Sequence, residues 1–264
     1  MRQLLGPFAA ALLLAVPACA QVPPSISPDA ALIEDLVVAN HILYDQGVVD
    51  GFGHVSARSN KDPSHFLMAR SMAPGLVTAS DILEFDLDGN AVNNPQGRAV
   101  YLERFIHSEI YKAHPEVKAV VHSHSPSVVP FGATGVPLRP IYHMSSFLGA
   151  GVPIFEIREA GGDATDMLVR NPRLGAALAQ KLGNSSVLLM RGHGDVVVGD
   201  SVRLAVFRAI YTEVNAKLEA EALRLGQVTF LNDKEAAASV ATNSVLTDRA
   251  WELWKMKAIG GRNN

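Results

Sequence analysis

Residues 119–126 read Ala119-Val120-Val121-His122-Ser123-His124-Ser125-Pro126, an apolar run that ends in two histidines two positions apart. Side chains alternate between the faces of a β-strand, so His122 and His124 project from the same face. Two imidazoles at a strand end make half of a tetrahedral metal site, and a catalytic site of that kind takes a third protein ligand. Leu188-Leu189-Met190-Arg191-Gly192-His193-Gly194 offers one, as a second apolar run that ends in histidine. Its glycines let the backbone approach closely. A carboxylate, Glu103, stands upstream in Tyr101-Leu102-Glu103-Arg104-Phe105-Ile106-His107. The pattern predicts a divalent metal centre on His122, His124 and His193 with Glu103 beside it. Three neutral imidazoles and one open position suit Zn²⁺, although Mn²⁺, Fe²⁺ and Co²⁺ also accept imidazole.

Working outward, the chain reads as one mixed α/β domain. A helix is expected from Asp29 to Gln46, then strands at Val55–Arg58 and His65–Met68 and a capped turn at Thr78–Asp81. A hairpin follows around Asp88-Gly89, pairing Ile82–Asp86 with Ala91-Val92. The next helix is expected over Val100–Ala113, which would set Glu103 and His107 on one face. Val117–His122 is the central strand. Residues 125–131 could open a helix, and residues 137–153 read as irregular. Further elements are a helix at Leu174–Leu182, strands at Ser186–Met190 and Gly194–Gly199, and a long helix at Ser201–Leu225. Its stripe of Leu204, Phe207, Tyr211, Val214 and Leu218 reads as core. Asn232–Asn243 is polar and alanine-rich, and Ser244–Met256 is a last short helix.

Composition bounds the function. Of 264 residues, 48% are hydrophobic and 19% charged, with a formal net charge of −3 and pI about 6.3. This fits a globular enzyme or binding domain and argues against a nucleic-acid surface or a polybasic membrane patch. After residue 20 no stretch is long and apolar enough to span a bilayer. The first twenty residues are different. Met1-Arg2-Gln3 is a short basic start, Leu4–Val16 an apolar stretch, and Ala18-Cys19-Ala20 a small-residue cleavage signal. That is the pattern of a secretory signal peptide, which implies a periplasmic or secreted protein. Val16-Pro17-Ala18-Cys19 loosely resembles a lipoprotein box, which keeps a lipid anchor at Cys19 open. Residues 21–28 read as a proline-rich linker and residues 29–264 as the domain. Cys19 is the only cysteine, so a mature domain beginning at Gln21 would have no disulfide.

These motifs, in this order, resemble the class II aldolase and adducin family over roughly residues 30–230. The resemblance rests on Gly53-His54-Val55-Ser56-Ala57-Arg58, Glu103 with His107, Val121-His122-Ser123-His124 and Arg191-Gly192-His193-Gly194. It implies an α/β/α sandwich with a mixed, mainly antiparallel sheet, a divalent ion, and a cyclic homotetramer with sites between subunits. It also implies that Glu103 handles a proton beside the ion. His143, in Tyr142-His143-Met144, falls where the family's aldolases carry a tyrosine that reaches a neighbour's site, so it is a candidate proton donor in trans. His107 is expected to pack and to help position Glu103.

The departures narrow the substrate. The sugar-phosphate aldolases of the family have asparagine where this chain has His54, and two serines where it has Tyr101 and Leu102. Groups that would cradle a phosphate dianion are therefore missing, and no other phosphate-binding glycine loop is present. His54, Arg70 and Ser71 are candidate substrate-binding residues in their place, Arg70 as a carboxylate clamp or else as a salt-bridge partner. The same features look like the family's decarboxylase branch, which acts on hydroxylated aromatic or pyridine carboxylic acids. The expected reaction is carbon–carbon cleavage that leaves charge as an enolate or phenolate at the metal. Decarboxylation is favoured over retro-aldol cleavage of a non-phosphorylated hydroxy-carbonyl compound. An adducin-like scaffold or a metal-binding module without turnover is the alternative.

Overall fold

Period-two alternation sorts the strand residues onto two faces, and each face is roofed by different helices. The computed structural model describes residues 30–92, 94 and 96–260; the expected leader, Cys19 and the proline-rich linker lie outside them. Strands β1 (His54–Arg58), β2 (His65–Ala69), β3 (Ile82–Asp86), β4 (Ala119–Ser123), β5 (Ile154–Phe155), β6 (Val187–Met190) and β7 (Gly194–Gly199) form one sheet in the order β3-β2-β1-β4-β7-β6-β5. All pairs are antiparallel except β5 with β6. This is the mixed, mainly antiparallel sheet expected, with β4 in its middle.

The helices are α1 (Ala30–Asp45), α2 (Arg104–Ala113), α3 (Val129–Ala133), α4 (Ile157–Gly161), α5 (Pro172–Leu182), α6 (Val202–Leu225), α7 (Asp233–Asn243) and α8 (Thr247–Gly260). Val55, Ala57, Ala119, Val121, Val187, Leu189 and Val197 pack on one face with Leu36 and Ile42 of α1, Val206 and Ile210 of α6, and Trp251 and Trp254 of α8. On the other, Phe66, Met68, Val120, Leu188, Met190, Val196 and Val198 meet Ile106, Ile110 and Tyr111 of α2 and Leu174 and Leu178 of α5. Each enclosed Val, Leu, Ile or Phe contributes on the order of 1.5–3 kcal/mol, so these two interfaces hold the sandwich. Among the described residues, no helix is long and apolar enough to cross a membrane.

Several elements depart from expectation for local reasons. Helix α2 begins at Arg104, with Glu103 as its N-cap at φ −88° and ψ 17° rather than inside the helix. The preceding turn is tied down, because the Tyr101 hydroxyl donates to the Met72 carbonyl at 2.5 Å. Ala91 makes only a single bridge to Phe85, so the hairpin's return strand is rudimentary. Residues 143–150 form a 3-10 helix within the segment read as irregular, and β5 and α4 were not foreseen. Asn232–Asn243 is a helix with its cap, since Asn232 accepts from the Lys234 and Glu235 amides and Glu235 accepts from the Asn232 amide.

The core stripe of α6 holds at Phe207, Tyr211 and Val214, which lie in or against the core, but small residues widen it and its ends turn outward. Ala205, Val206, Phe207, Ala209, Ile210 and Ala216 are buried, whereas Leu204, Tyr211 and Val214 are half-buried and Leu218 is 43% exposed. A methyl group on Gly199 would stand 2.7 Å from the Ala205 nitrogen, so helix and sheet approach closely and small residues make that contact.

Two predictions follow from the packing. Gly194 opens β7 against β4, where an added methyl would overlap the Ser123 carbonyl and stand 2.9 Å from the His124 Cα. Gly194→Ala should cost at least about 2 kcal/mol in urea unfolding and lower metal retention, because the same shift displaces His124. Glu219 of α6 is fully buried, accepts from the Arg139 amide at 2.9 Å, and leaves Oε1 unpaired. Burial pushes its carboxyl up to about 7, against the opposing pull of the Arg139 amide and guanidinium. The folded state therefore binds the proton more tightly than the unfolded one, and stability should fall as pH rises from about 4.5 through about 7. Glu219→Gln should flatten that slope and raise the melting temperature at pH above this window, as followed by thermal denaturation.

Candidate metal centre

His122 sits on β4 on the face that meets α2, and His124 follows just past the strand end on the same side. The β4–β7 register sets His122 opposite Val196 and Ser123 opposite Asp195. The tight turn from β6 into β7, with Gly192 at φ +64°, then carries His193 back to His124. Ring centroids of His122, His124 and His193 lie 4.7–5.1 Å apart in every pair. Glu103 enters from the N-terminus of α2. One donor atom from each of Glu103, His122, His124 and His193 falls within 4.8 Å of all the others. The structure thus brings together the four residues that the sequence singled out.

The donor atoms are aimed as metal ligands are. His122 Nδ1 donates to the Asp195 carbonyl at 2.9 Å, and His193 Nδ1 to the Met167 carbonyl at 3.0 Å. A carbonyl can only accept, so both rings carry a proton on Nδ1 and turn Nε2 inward, where the neutral ring presents it bare. His122 Nε2 is buried with no hydrogen-bond partner. An orphaned, inward imidazole nitrogen is costly unless something binds it. The residues therefore fit a divalent cation, with His122, His124 and His193 as ligands and Glu103 as a fourth donor or an adjacent base.

The electrostatics agree. Burial alone would raise the Glu103 carboxyl, but positive charge on His122 and His193, each with Nε2 3.5 Å from Oε2, overrides it and holds the group well below the usual carboxylate range, a place that a bound cation would take over. Its other oxygen accepts from the Val169 amide at 2.9 Å. Glu103 is therefore ionised and rigid. Burial, with His122 and His193 alongside, pushes His124 down to about 4, so it stays neutral and ligand-ready at neutral pH.

A cavity of about 400 Å³ opens beside the cluster, lined by Gly53, His54, Ser71, Glu103 and His124 and walled by Phe52, Met72, Tyr101, Leu102 and Leu168. No lysine or arginine is among its described lining residues. Phe52 and Leu102 are 68% and 56% exposed at its rim. Gly53, at φ +96°, brings β1 close to β4, and a side chain there would crowd Val49 and the His122 carbonyl.

The remaining expected residues divide. His54 and Ser71 line the cavity; Arg70 does not, since its Nε donates to Asp81 at 2.8 Å, the salt-bridge alternative. His143 is exposed at the start of the 3-10 helix, its ring against Tyr142, and is not among the four residues that cluster. His107 is completely buried and, rather than touching Glu103 through the helix, bonds His54. Sequence reasoning missed Met167 and Val169, whose contribution is a carbonyl and an amide that any residue carries. Met167 sits at φ +72°, a strained loop position with no sequence signature.

Residues 34–220 match the model of the Class II Aldolase and Adducin N-terminal domain. The decarboxylase tropJ of Talaromyces stipitatus is 39% identical over 249 residues, 86% of this chain and 94% of that protein. The 3,4-dihydroxyphthalate decarboxylase of Arthrobacter keyseri is 31% identical over 207 residues, 73% of this chain and 79% of that protein. Among solved structures, L-fuculose 1-phosphate aldolase from Glaciozyma antarctica superposes with a TM-score of 0.73 at 25% identity, covering 91% of this chain and 96% of that one. With its family match spanning most of its length, its fold shared and its decarboxylase relatives aligned over 73–86% of it, the chain belongs to the class II aldolase and adducin family, on the decarboxylase-like branch, and is a carbon–carbon lyase.

Proposed function

We propose that this chain is a divalent-metal-dependent decarboxylase of a hydroxylated aromatic or related carboxylic acid. The observation that carries the reading is the cavity: aromatic and aliphatic walls, no cationic side chain among its described lining residues to receive a phosphate, and Glu103 and His124 in its lining. A planar ring fits such walls, and a sugar phosphate finds no partner there. The decarboxylases among its relatives support the same choice over retro-aldol cleavage.

Residue roles follow from the geometry. The ion, when bound, supplies Lewis-acid polarisation of a substrate oxygen. His122, His124 and His193 hold it. Glu103 is ionised, so it enters the reaction as a proton acceptor, taking the proton of a substrate hydroxyl. Only a group that has first gained a proton can return one to the ring carbon that CO₂ leaves. Glu103 meets that condition after the first transfer, and His143 from a neighbouring subunit is the second donor in a cyclic homotetramer. Exposed Phe52 and Leu102 at the cavity rim support a neighbour closing over it. Residues 1–20 are proposed to direct export, placing the enzyme in the periplasm or outside the cell, with Cys19 as a lipid-anchor alternative.

Residues 21–264, purified without chelator, should carry about one divalent ion per chain, and His124→Ala should lose it. Elemental analysis decides this, and a wild type that stays metal-free after reconstitution with Zn²⁺, Mn²⁺, Fe²⁺ or Co²⁺ would leave the scaffold reading in front. The loaded enzyme should release CO₂ from a panel of hydroxylated aromatic acids headed by 3,4-dihydroxyphthalate. Glu103→Gln should keep its fold by circular dichroism and lose about 10²–10⁴ in kcat. Aldehyde release from hydroxy-carbonyl compounds with no CO₂ from any acid would transfer the assignment to retro-aldol cleavage.

A further inference from the structure

Behind the cavity lies a buried polar chain that the metal centre does not use. Along β1, His54, Ser56 and Arg58 occupy alternate positions and so share the face toward α2. Along α2, His107 and Tyr111 are four residues apart and so share the face toward β1. The spacings nearly match, about 6.6 Å per two strand residues and about 6 Å per four helix residues. The polar groups therefore interleave. Tyr111 OH meets Ser56 Oγ at 2.7 Å, Ser56 Oγ meets His107 Nδ1 at 2.6 Å, and His107 Nε2 meets His54 Nδ1 at 2.6 Å. Ser56 and His107 are fully enclosed and Tyr111 is 1% exposed. Arg58 lies over the Tyr111 ring at 4.7 Å and donates to the Tyr111 carbonyl, which closes the far end.

The chain has a direction. Among the described residues, Ser56 Oγ is the hydrogen-bond partner of the buried Tyr111 hydroxyl. A buried hydroxyl proton left unpaired is costly, so the tyrosine donates to Ser56. The serine, having accepted, donates to His107 Nδ1. His107 then carries its proton on Nε2 and donates to His54 Nδ1. His54, a neutral ring in a pocket already crowded with imidazoles, is left with its proton on Nε2, the nitrogen free to meet the cavity that His54 lines.

We propose that this one-way chain fixes His54 as a hydrogen-bond donor into the cavity, so that His54 recognises an anionic oxygen of the substrate while Ser56, His107 and Tyr111 act as positioning residues. The identity of that ligand rests on the proposed function; the direction of the chain does not. A carboxylate is the fitting partner in a cavity with no lysine or arginine among its described lining residues, because a ring N–H is then its donor. Substrates without an acceptor at that edge leave the buried N–H unpaired and are disfavoured.

The test uses Zn²⁺-loaded protein isotopically labelled at the histidine ring nitrogens and read by solid-state NMR, with the His54 signals assigned by their loss in His54→Gln. The expected result is a bare Nδ1 and a protonated Nε2 on His54, kept in Ser56→Thr and scrambled in Ser56→Ala and Tyr111→Phe. A protonated Nδ1 on His54, or a tautomer unchanged in both deletion variants, would overturn the inference. Calorimetry with two probes gives the functional readout. Ser56→Ala should weaken 3,4-dihydroxybenzoate about tenfold, as for a hydrogen bond to a charged group, and leave catechol unchanged. Equal loss for both probes would overturn the recognition role. A wild type that decarboxylates nothing would sink the proposed function without touching the tautomer.

Discussion

Antiparallel pairing of β4 with β7 is the contact on which the site depends. It places the Asp195 carbonyl beside His122 Nδ1, and it returns the chain through Gly192 and Gly194 so that His193 faces His124. Side-chain period is two, so a one-residue slip of this ladder would send His122 into the opposite core. The slip is opposed by the valines on either side of the sheet: Val121 and Val197 pack with α1 and α6, Val120 and Val196 with α2 and α5. Hydrophobic register and ligand geometry are thus one constraint. Glu103 is added from outside the ladder, at a helix N-terminus, and its ionised state follows from the histidines that the ladder brings together.

Much of this was legible in the chain itself, and the reasons are local. Ala119–Ser123, Val187–Met190 and Gly194–Gly199 announce themselves as apolar runs, and His-x-His at a strand end has a fixed geometric meaning. Less legible was where α2 begins, because the Tyr101 hydroxyl that holds the preceding turn bonds Met72, far off in sequence. The α6 stripe was legible at Phe207, Tyr211 and Val214 and incomplete at its small residues. Large residues draw the eye, but the closest approach to the sheet, at Gly199, selects alanines. Main-chain groups of Met167, Val169 and Asp195 could not be foreseen at all, since every residue owns a carbonyl and nearly every one an amide.

Glycine and histidine share the construction. Gly53 and Gly194 have little to do with turns alone; both lack a side chain where the backbone comes close to the His122–His124 segment. Buried histidines normally cost free energy unless their nitrogens are satisfied. Here one set is satisfied by backbone carbonyls and points inward, and the other set, His54 and His107, is satisfied by hydroxyls and by each other. The two sets lie side by side, with His54 and His122 centroids 5.0 Å apart, yet are wired separately.

The anchoring of His122 and His193 by main-chain carbonyls has a consequence for how such a protein can change over time. A carbonyl survives any substitution of its own side chain, so the orientation of both rings is insulated from drift at positions 195 and 167. The cavity walls are in the reverse condition, since their character is that of the residues that line them, Phe52, Met72, Tyr101, Leu102 and Leu168. Selection can therefore rewrite the walls for a new molecule while the ligand geometry is inherited unaltered, which gives one scaffold room for many chemistries at small mutational distance.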